Sequence, residues 1–273
     1  MSKKVTNVAS DKKASGPVFV PTAEAKKQAG KFRMLGVLFW VLAIGAQLGA
    51  IMYLLKNAQN IDTMFWVVVI GLIVVDLICV VVGSMFWKKA NRLDPASEKN
   101  KLRFFIQNQL GVVAAIVAFL PLIVIILMNK DLDTKHKAIL GGIAGAALIA
   151  AGLLSADFDP PSIEKYAADK AEVVLLIGKN HVYWAPGSKK SHLYEDCHHI
   201  SKTVDNNSNG TVEDAFEANK IVDICKTCRS KAMKANNISE EQVKEMRAAA
   251  ENPPQPGASQ EVQQEVQQEV QEE

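Results

Sequence analysis

The sequence predicts a mainly α-helical membrane protein, a four-helix transmembrane bundle followed by a small α+β domain. Three observations predict it. Four long apolar runs lie between residues 32 and 155, the loops around them alternate in positive charge, and His181 to Cys228 holds three of the four cysteines and four of the five histidines. The 273 residues are 49% hydrophobic, yet the formal net charge is only +2. Such a balance offers no basic stripe for a specific nucleic-acid partner. It leaves the lipid bilayer, a protein partner or a second copy of the chain.

Residues 1–31 are rich in Lys, Ser, Ala and Thr, and Gly16-Pro17 and Pro21 interrupt any helix. They read as a disordered basic tail in which a helix can start from Thr22. A secretory signal is not expected, because this polar stretch precedes the first apolar run.

Residues 32–155 form the predicted membrane domain. Its runs are Met34 to Leu55, Met64 to Trp87, Phe104 to Met128 and Ala138 to Leu154. The first three exceed the roughly 20 residues that cross a bilayer core, and the fourth lies near the lower limit. Phe65-Trp66, Phe86-Trp87 and Phe104-Phe105 sit at run ends, as interfacial aromatics do. Lys26, Lys27, Lys31 and Arg33 precede the first run, and Lys88, Lys89, Arg92, Lys99, Lys101 and Arg103 fill the second loop. The first loop has only Lys56, and the third has Lys130, Lys135 and Lys137. The excess of Lys and Arg places both termini in the cytoplasm, as in a bacterial inner-membrane protein.

Small residues recur at four-residue spacing as Gly45/Gly49, Gly141/Gly145 and Gly142/Ala146/Ala150, the pattern that lets helices approach closely in lipid. Pro121 is expected to kink the third span. Asp76, near the middle of the second run, is costly there and is therefore a functional candidate, the centre of a transporter or channel component. The plainer expectation has it protonated and bonded to Gln47 or a backbone carbonyl. Cys79 reads as a small packing residue.

After Leu154 the chain turns polar. Asp159-Pro160-Pro161-Ser162 is a stiff break, and Ser162 caps a linker helix within residues 156–172. Val173 to Ile177 reads as a buried strand, residues 178–180 as a turn, and His181 to Ala185 as the second strand of a hairpin. Ser201 to Gly210 is a polar loop, and Thr211 caps a short helix that runs to Asn219. Residues 236–273 comprise a helix opened by the capping box Ser239 to Gln242, then an acidic low-complexity tail with Val262, Val266 and Val270 four apart.

The chemistry lies in residues 173–235. His192 and Cys197 form H-x4-C, and Cys225 and Cys228 form C-x2-C after 27 intervening residues. Two close pairs of imidazole and thiolate donors suit tetrahedral Zn²⁺. His198 and His199 compete with His192 for the fourth position, and a Cys197/His199 pair stays open. A redox dithiol at Cys225 and Cys228 is the chemical rival. A soluble part this small has little core, so a metal has a structural reason to be there.

The run Val182-Tyr-Trp-Ala-Pro-Gly-Ser-Lys-Lys-Ser-His192, followed by Cys197, Gly210-Thr-Val-Glu-Asp-Ala215 and Cys225-Lys-Thr-Cys228, resembles a small zinc module of bacterial membrane proteins and nucleases. That module is similar to the metal-binding domain of the Ada methyl-acceptor protein. The resemblance covers residues 182–228 and implies His192, Cys197, Cys225 and Cys228 as zinc ligands. Ser191 stands where the family commonly has Tyr. Methyl transfer is not implied, because a neutral His replaces one of the four Ada cysteines and lowers the negative charge that drives nucleophilicity.

No Walker loop, Ser-His-Asp set or catalytic carboxylate pair is present, so no defined catalysis is expected. The expected function is a membrane-anchored cytosolic zinc module that binds a protein partner or senses metal or redox state. Its alternatives are a reactive zinc-thiolate protein, as alkyl acceptor or redox switch, and a transporter component centred on Asp76.

Overall fold

The computed structural model describes residues 20–218, 221 and 223–252. Residues 1–19 of the basic tail and the valines at 262, 266 and 270 lie outside them. The chain forms two compact units, one of Pro21–Ile163 with residues 216–218 and one of Glu164–Ala215 with residues 221 and 223–252.

The first unit consists of helices α1 (Ala23–Asn57), α2 (Thr63–Leu93), α3 (Lys101–Met128) and α4 (Thr134–Ser155). Each starts where a side-chain oxygen takes up an N–H that has no intrahelical acceptor. Thr22, Asp62, Asn100 and Asp133 accept from Ala25, Phe65, Arg103 and His136 respectively. Residues 23–31 are therefore helical, and Ala25 and Ala29 pack with Ala90 and Leu93 of α2. Capping also lengthens α4 beyond its apolar run, to 22 residues. All four helices are long and apolar enough to cross a membrane.

Their burial pattern fits lipid. Leu54, Phe65, Val69, Phe119, Leu122 and Leu140 fill the centre, while Leu48, Met52, Val67, Ile78, Leu120 and Ile149 stay exposed on the outside. An apolar exterior on this scale would be unfavourable in water. In a bilayer it meets its own kind, and the helices satisfy their backbone groups internally. Pro121 lies inside α3, which continues through it to Met128.

The small-residue spacing finds only part of the helix packing: a Cβ on Gly49 would touch Leu72 at 3.8 Å and one on Gly141 would touch Leu127 at 3.6 Å. Nothing lies within 4 Å of a Cβ placed on Gly45, Gly142 or Gly145. Tighter approaches occur at Gly111, whose Cβ would meet the Ser84 hydroxyl at 2.7 Å, and between Gly36 and Gly83, where a Cβ on Gly83 would meet the Trp40 indole at 2.7 Å and the Gly36 carbonyl at 2.9 Å. Four-residue repeats arise readily where Gly and Ala are common, whereas this contact pairs single glycines from two helices. Gly83→Val should lower the thermal stability of the detergent-purified protein by about 1–3 kcal/mol through overpacking. Gly145→Val, at an open position, should leave it within about 0.5 kcal/mol; equal effects in a melting assay would refute the contact.

The second unit comprises α5 (Ile163–Ile177), β1 (Val182–Trp184), β2 (Lys190–Ser191), a 3₁₀ turn (Ser201–Asn206), β3 (Ser208–Gly210), α6 (Val212–Ala218), β4 (Asp223–Ile224), α7 (Lys226–Ala235) and α8 (Glu240–Glu251). Val173 to Ile177 is not a strand: it is the end of α5, with Val173 and Leu176 buried and Val174 exposed. A five-residue apolar run fits either period, and here the preceding helix carries on through it. Gly178, at φ +70°, stops the helix by donating its N–H to Val174. The expected hairpin is consequently replaced. β1 pairs antiparallel with β3, Tyr183 opposite Asn209, and the polar segment from Ser201 to Gly210 is a 3₁₀ turn and a strand rather than a loop. Asn207 holds that turn by donating to the Ile200 carbonyl and accepting from the Thr203 hydroxyl.

Thr211 and Asp214 cap α6 reciprocally, each side chain accepting the other's N–H. Beside them Glu213 accepts from Lys170 of α5 at 2.5 Å and from Asn180 of the turn at 2.7 Å. Burial opposes ionisation of Glu213, but these two donors outweigh it and hold its carboxyl below the usual range. Such a group stabilises the fold above its unfolded pKa, near 4.5, and the contribution disappears as pH falls through the lower folded value. Glu213→Gln should thus speed amide exchange in α6 at neutral pH by the equivalent of about 1–3 kcal/mol. The gap between variant and wild type should close in acid; a constant gap would show that the charge is irrelevant.

Candidate metal centre

The second unit brings His192, Cys197, Cys225 and Cys228 together, all buried. Backbone pairing does this. Tyr183 and His192 exchange both of their N–H···O bonds, at 2.8 and 2.7 Å, which pins the residue after β2 to β1. β2 in turn runs parallel to β4, Ser191 opposite Ile224, and the Cys225 N–H donates to the Ser191 carbonyl at 2.8 Å. His192 and Cys225 each follow directly on one of these two paired strands. Leu193 and Ile200 are buried on either side of Cys197, whose carbonyl accepts from the N–H groups of Ile200 and Ser201. Those bonds make the turn that points the thiol back.

Cys225 is the N-cap of α7 and Cys228 lies in its first turn. At that spacing the two thiols fall at the same end of the helix, where unpaired N–H groups favour negative charge. Each of the four residues offers a ligand atom, and these atoms lie within 4.8 Å of one another. Cys228 Sγ and His192 Nδ1 are 3.8 Å apart. Donors bound at about 2.0–2.3 Å to a tetrahedral ion stand about 3.4–3.8 Å from each other, so the donor set can close on a metal with small adjustments.

Electrostatics favour the ligating form of His192 and of Cys225, but not of Cys228. Burial pulls the His192 pKa down, assisted by His199, Lys190 and His198, so the imidazole is neutral and its nitrogen free to coordinate. Burial opposes ionisation of Cys225, but the N–H groups of Cys228 and Thr227 and the neighbouring thiols outweigh it, placing this thiol below the ordinary value. Cys228 goes the other way, pushed up to about 12 by burial and by the Cys197 thiol. Three thiols packed together without a counter-charge cannot all ionise; a divalent cation would supply that charge.

The other histidines are not among the four donors, although the His199 ring lies 6.3 Å from that of His192. His198 and His199 are exposed, and His199 Nε2 lies 3.3 Å from the Thr227 hydroxyl instead. His181 packs edge-on against Tyr183, and His136 belongs to the cap of α4. In the membrane unit, Asp76 is buried with neither carboxyl oxygen hydrogen-bonded, and Gln47 Nε2 is likewise unbonded. The expected Asp76 to Gln47 bond is not made.

Two features escaped the sequence. A cavity of about 580 Å³ opens beside His192 and Cys225, bordered by Gly187, Lys190, Lys226 and Thr227. The other is an ion network. Arg229 of α7 bonds Glu172 of α5 and Glu240 of α8, and Arg247 of α8 bonds Asp169 and Glu172. The signal for it was Asp169 and Glu172, three apart on one helix face, obscured by ending that helix too early.

No family model, curated protein or solved structure matches this chain, and the likeness to the Ada metal-binding domain rests on the motif residues alone.

Proposed function

We propose that this chain is a membrane-anchored zinc module: a four-helix bundle holds, on the cytoplasmic face of a bacterial inner membrane, a small domain whose structural zinc maintains a surface for a protein partner. The convergence of four buried donors from two distant pairs supports this reading above all. Three thiolates and one imidazole in tetrahedral reach suit zinc, and four protein ligands leave no open position for a substrate, which is the mark of a structural site. The basic second loop supports the orientation, and a cytoplasmic location keeps the thiols reduced.

The full-length protein purified from membranes should carry one zinc per chain by elemental analysis. Cys225→Ser or His192→Ala should cut that content at least tenfold and expose the region around residues 182–228 to protease, whereas His199→Ala should retain the metal. A metal-free wild type whose proteolytic pattern is unchanged by blocking its thiols would end the proposal.

The cavity beside His192 and Cys225 favours a second reading, in which the zinc-bound thiolate of Cys225 is reactive. In that case a mild alkylating agent such as iodoacetamide should transfer its carbamidomethyl group to Cys225, with loss of iodide, and the fold should survive. Mass spectrometry of the treated protein separates the two readings: no adduct on the zinc-loaded form, and adducts on all three cysteines only after chelation, speak for a structural metal.

A further inference from the structure

Two cavities of the membrane unit lie end to end between α1 and α3 and share Leu110. One, of about 520 Å³, is bordered by Arg33, Trp87, Leu102, Arg103 and Ile106. The other, of about 290 Å³, is bordered by Val37, Trp40, Val113, Ala114 and Val117. Trp40 and Trp87 form the back wall, their rings 5.3 Å apart. Each indole N–H is turned to a backbone carbonyl, Trp40 to Val80 at 3.4 Å and Trp87 to Gln107 at 2.8 Å. Neither ring therefore needs a polar ligand, and the wall it offers is apolar.

The two ends of this groove differ in chemistry. From Leu110 to Val117 its lining is aliphatic, with small side chains such as Ala114 leaving the width. At the other end stand two guanidinium groups. Arg33 is committed to Asp94, through its carboxylate at 2.8 Å and its carbonyl at 3.0 Å. Arg103 is exposed, and among the described residues no carboxylate pairs with its side chain. A cation at the mouth of an apolar groove calls for an amphiphile of opposite charge.

The length fits as well. From Arg103 to Val117 α3 rises about 21 Å at 1.5 Å per residue, and half the thickness of a bilayer, headgroups included, is about 20–22 Å. The groove thus reaches from headgroup level to the middle of the membrane.

We propose that this groove binds one anionic phospholipid, with its phosphate on Arg103 and one acyl chain laid across the Trp87 and Trp40 rings to Val117. A zwitterionic phosphatidylcholine presents its own ammonium group at the same level and gains less from Arg103. A helix of a second copy would have to bury the unpaired guanidinium at an apolar interface, which is costly.

Native mass spectrometry of the full-length protein, extracted from vesicles of phosphatidylglycerol and phosphatidylcholine in equal parts, tests the assignment. Wild type should retain phosphatidylglycerol about fivefold over phosphatidylcholine, the size of one basic side chain's attraction to an anionic headgroup. Arg103→Gln should abolish the preference, Arg103→Lys should keep most of it, and Ala114→Phe, which fills the acyl end, should reduce retention of both lipids. Circular dichroism of each variant guards against a folding defect, and inorganic phosphate added in excess should not displace the lipid. Retention in the vesicle ratio, an unchanged preference in Arg103→Gln, or a lipid-free dimer of wild type would overturn it.

Discussion

Two donor pairs separated by 27 residues must arrive at one point, and the rest of the second unit depends on how the backbone achieves this. A metal can hold ligands together, but it selects no strand register; that is done by the pairing of Lys190 with Asp223 and Ser191 with Ile224. Two residues per strand would be negligible as an isolated sheet. Here they are extended by the Tyr183 and His192 bridge and by the Cys225 N–H on Ser191, so every ligand except Cys197 is within one residue of a paired strand or inside the first turn of α7. Short pairing and a bound cation would reinforce each other. Strands this short bury little area, and three neighbouring thiolates repel unless a cation compensates them.

The ion network answers a different need. α7 and α8 contribute little apolar surface to the unit: α7 buries only Cys228 and Ala232, and α8 only Val243 and Ala250. Helices with so little to bury are held instead by Arg229 and Arg247, which between them engage Asp169, Glu172 and Glu240, and by Asn236, which donates to the last-turn carbonyl of Leu176. Glu172 accepts from both arginines and is nearly inaccessible, so its charge is compensated where it is most costly. Arg229 follows Cys228 directly, and the same turn of α7 thereby serves the donor cluster and the network. The orientation of the C-x2-C pair is fixed from both sides.

What the sequence disclosed and what it hid divide along the range of the signal. Apolar runs of more than twenty residues are decided by hydropathy alone, and the first three spans follow from them, whereas the fourth gains its length from the Asp133 cap. The cluster was visible as well, because metal-ligand spacing is local within each pair and only the joining of the pairs is not. Strand partners were hidden: β1 and β3 are separated by the whole of the first knuckle, and three polar residues, Ser208 to Gly210, carry no strand signature. Val173 to Ile177 failed for the complementary reason, since β-branched residues at the end of a helix look like a strand until the Tyr166 and Ala167 turn before them is included. The close helix contact at Gly36 and Gly83 is between single residues of different helices and leaves no periodicity to find.

Some of the positive charges that suggest orientation also have local work in the bundle. Lys88 donates to the carbonyls of Leu154 and Ala156, at the end of α4, where the last turn leaves acceptors without partners. Arg33 takes up the Asp94 carbonyl and carboxylate just past the end of α2, and Lys89 lies over the Phe32 ring at 4.5 Å. Cations placed at helix C-termini complement the negative end of the helix dipole as well as the unpaired carbonyls. α2 and α4 both end on the side of the second loop, so an arrangement that satisfies them concentrates Lys and Arg there without reference to the membrane. Part of the charge on this side, at Lys88 and Arg33, is thus tied to the way these helices end.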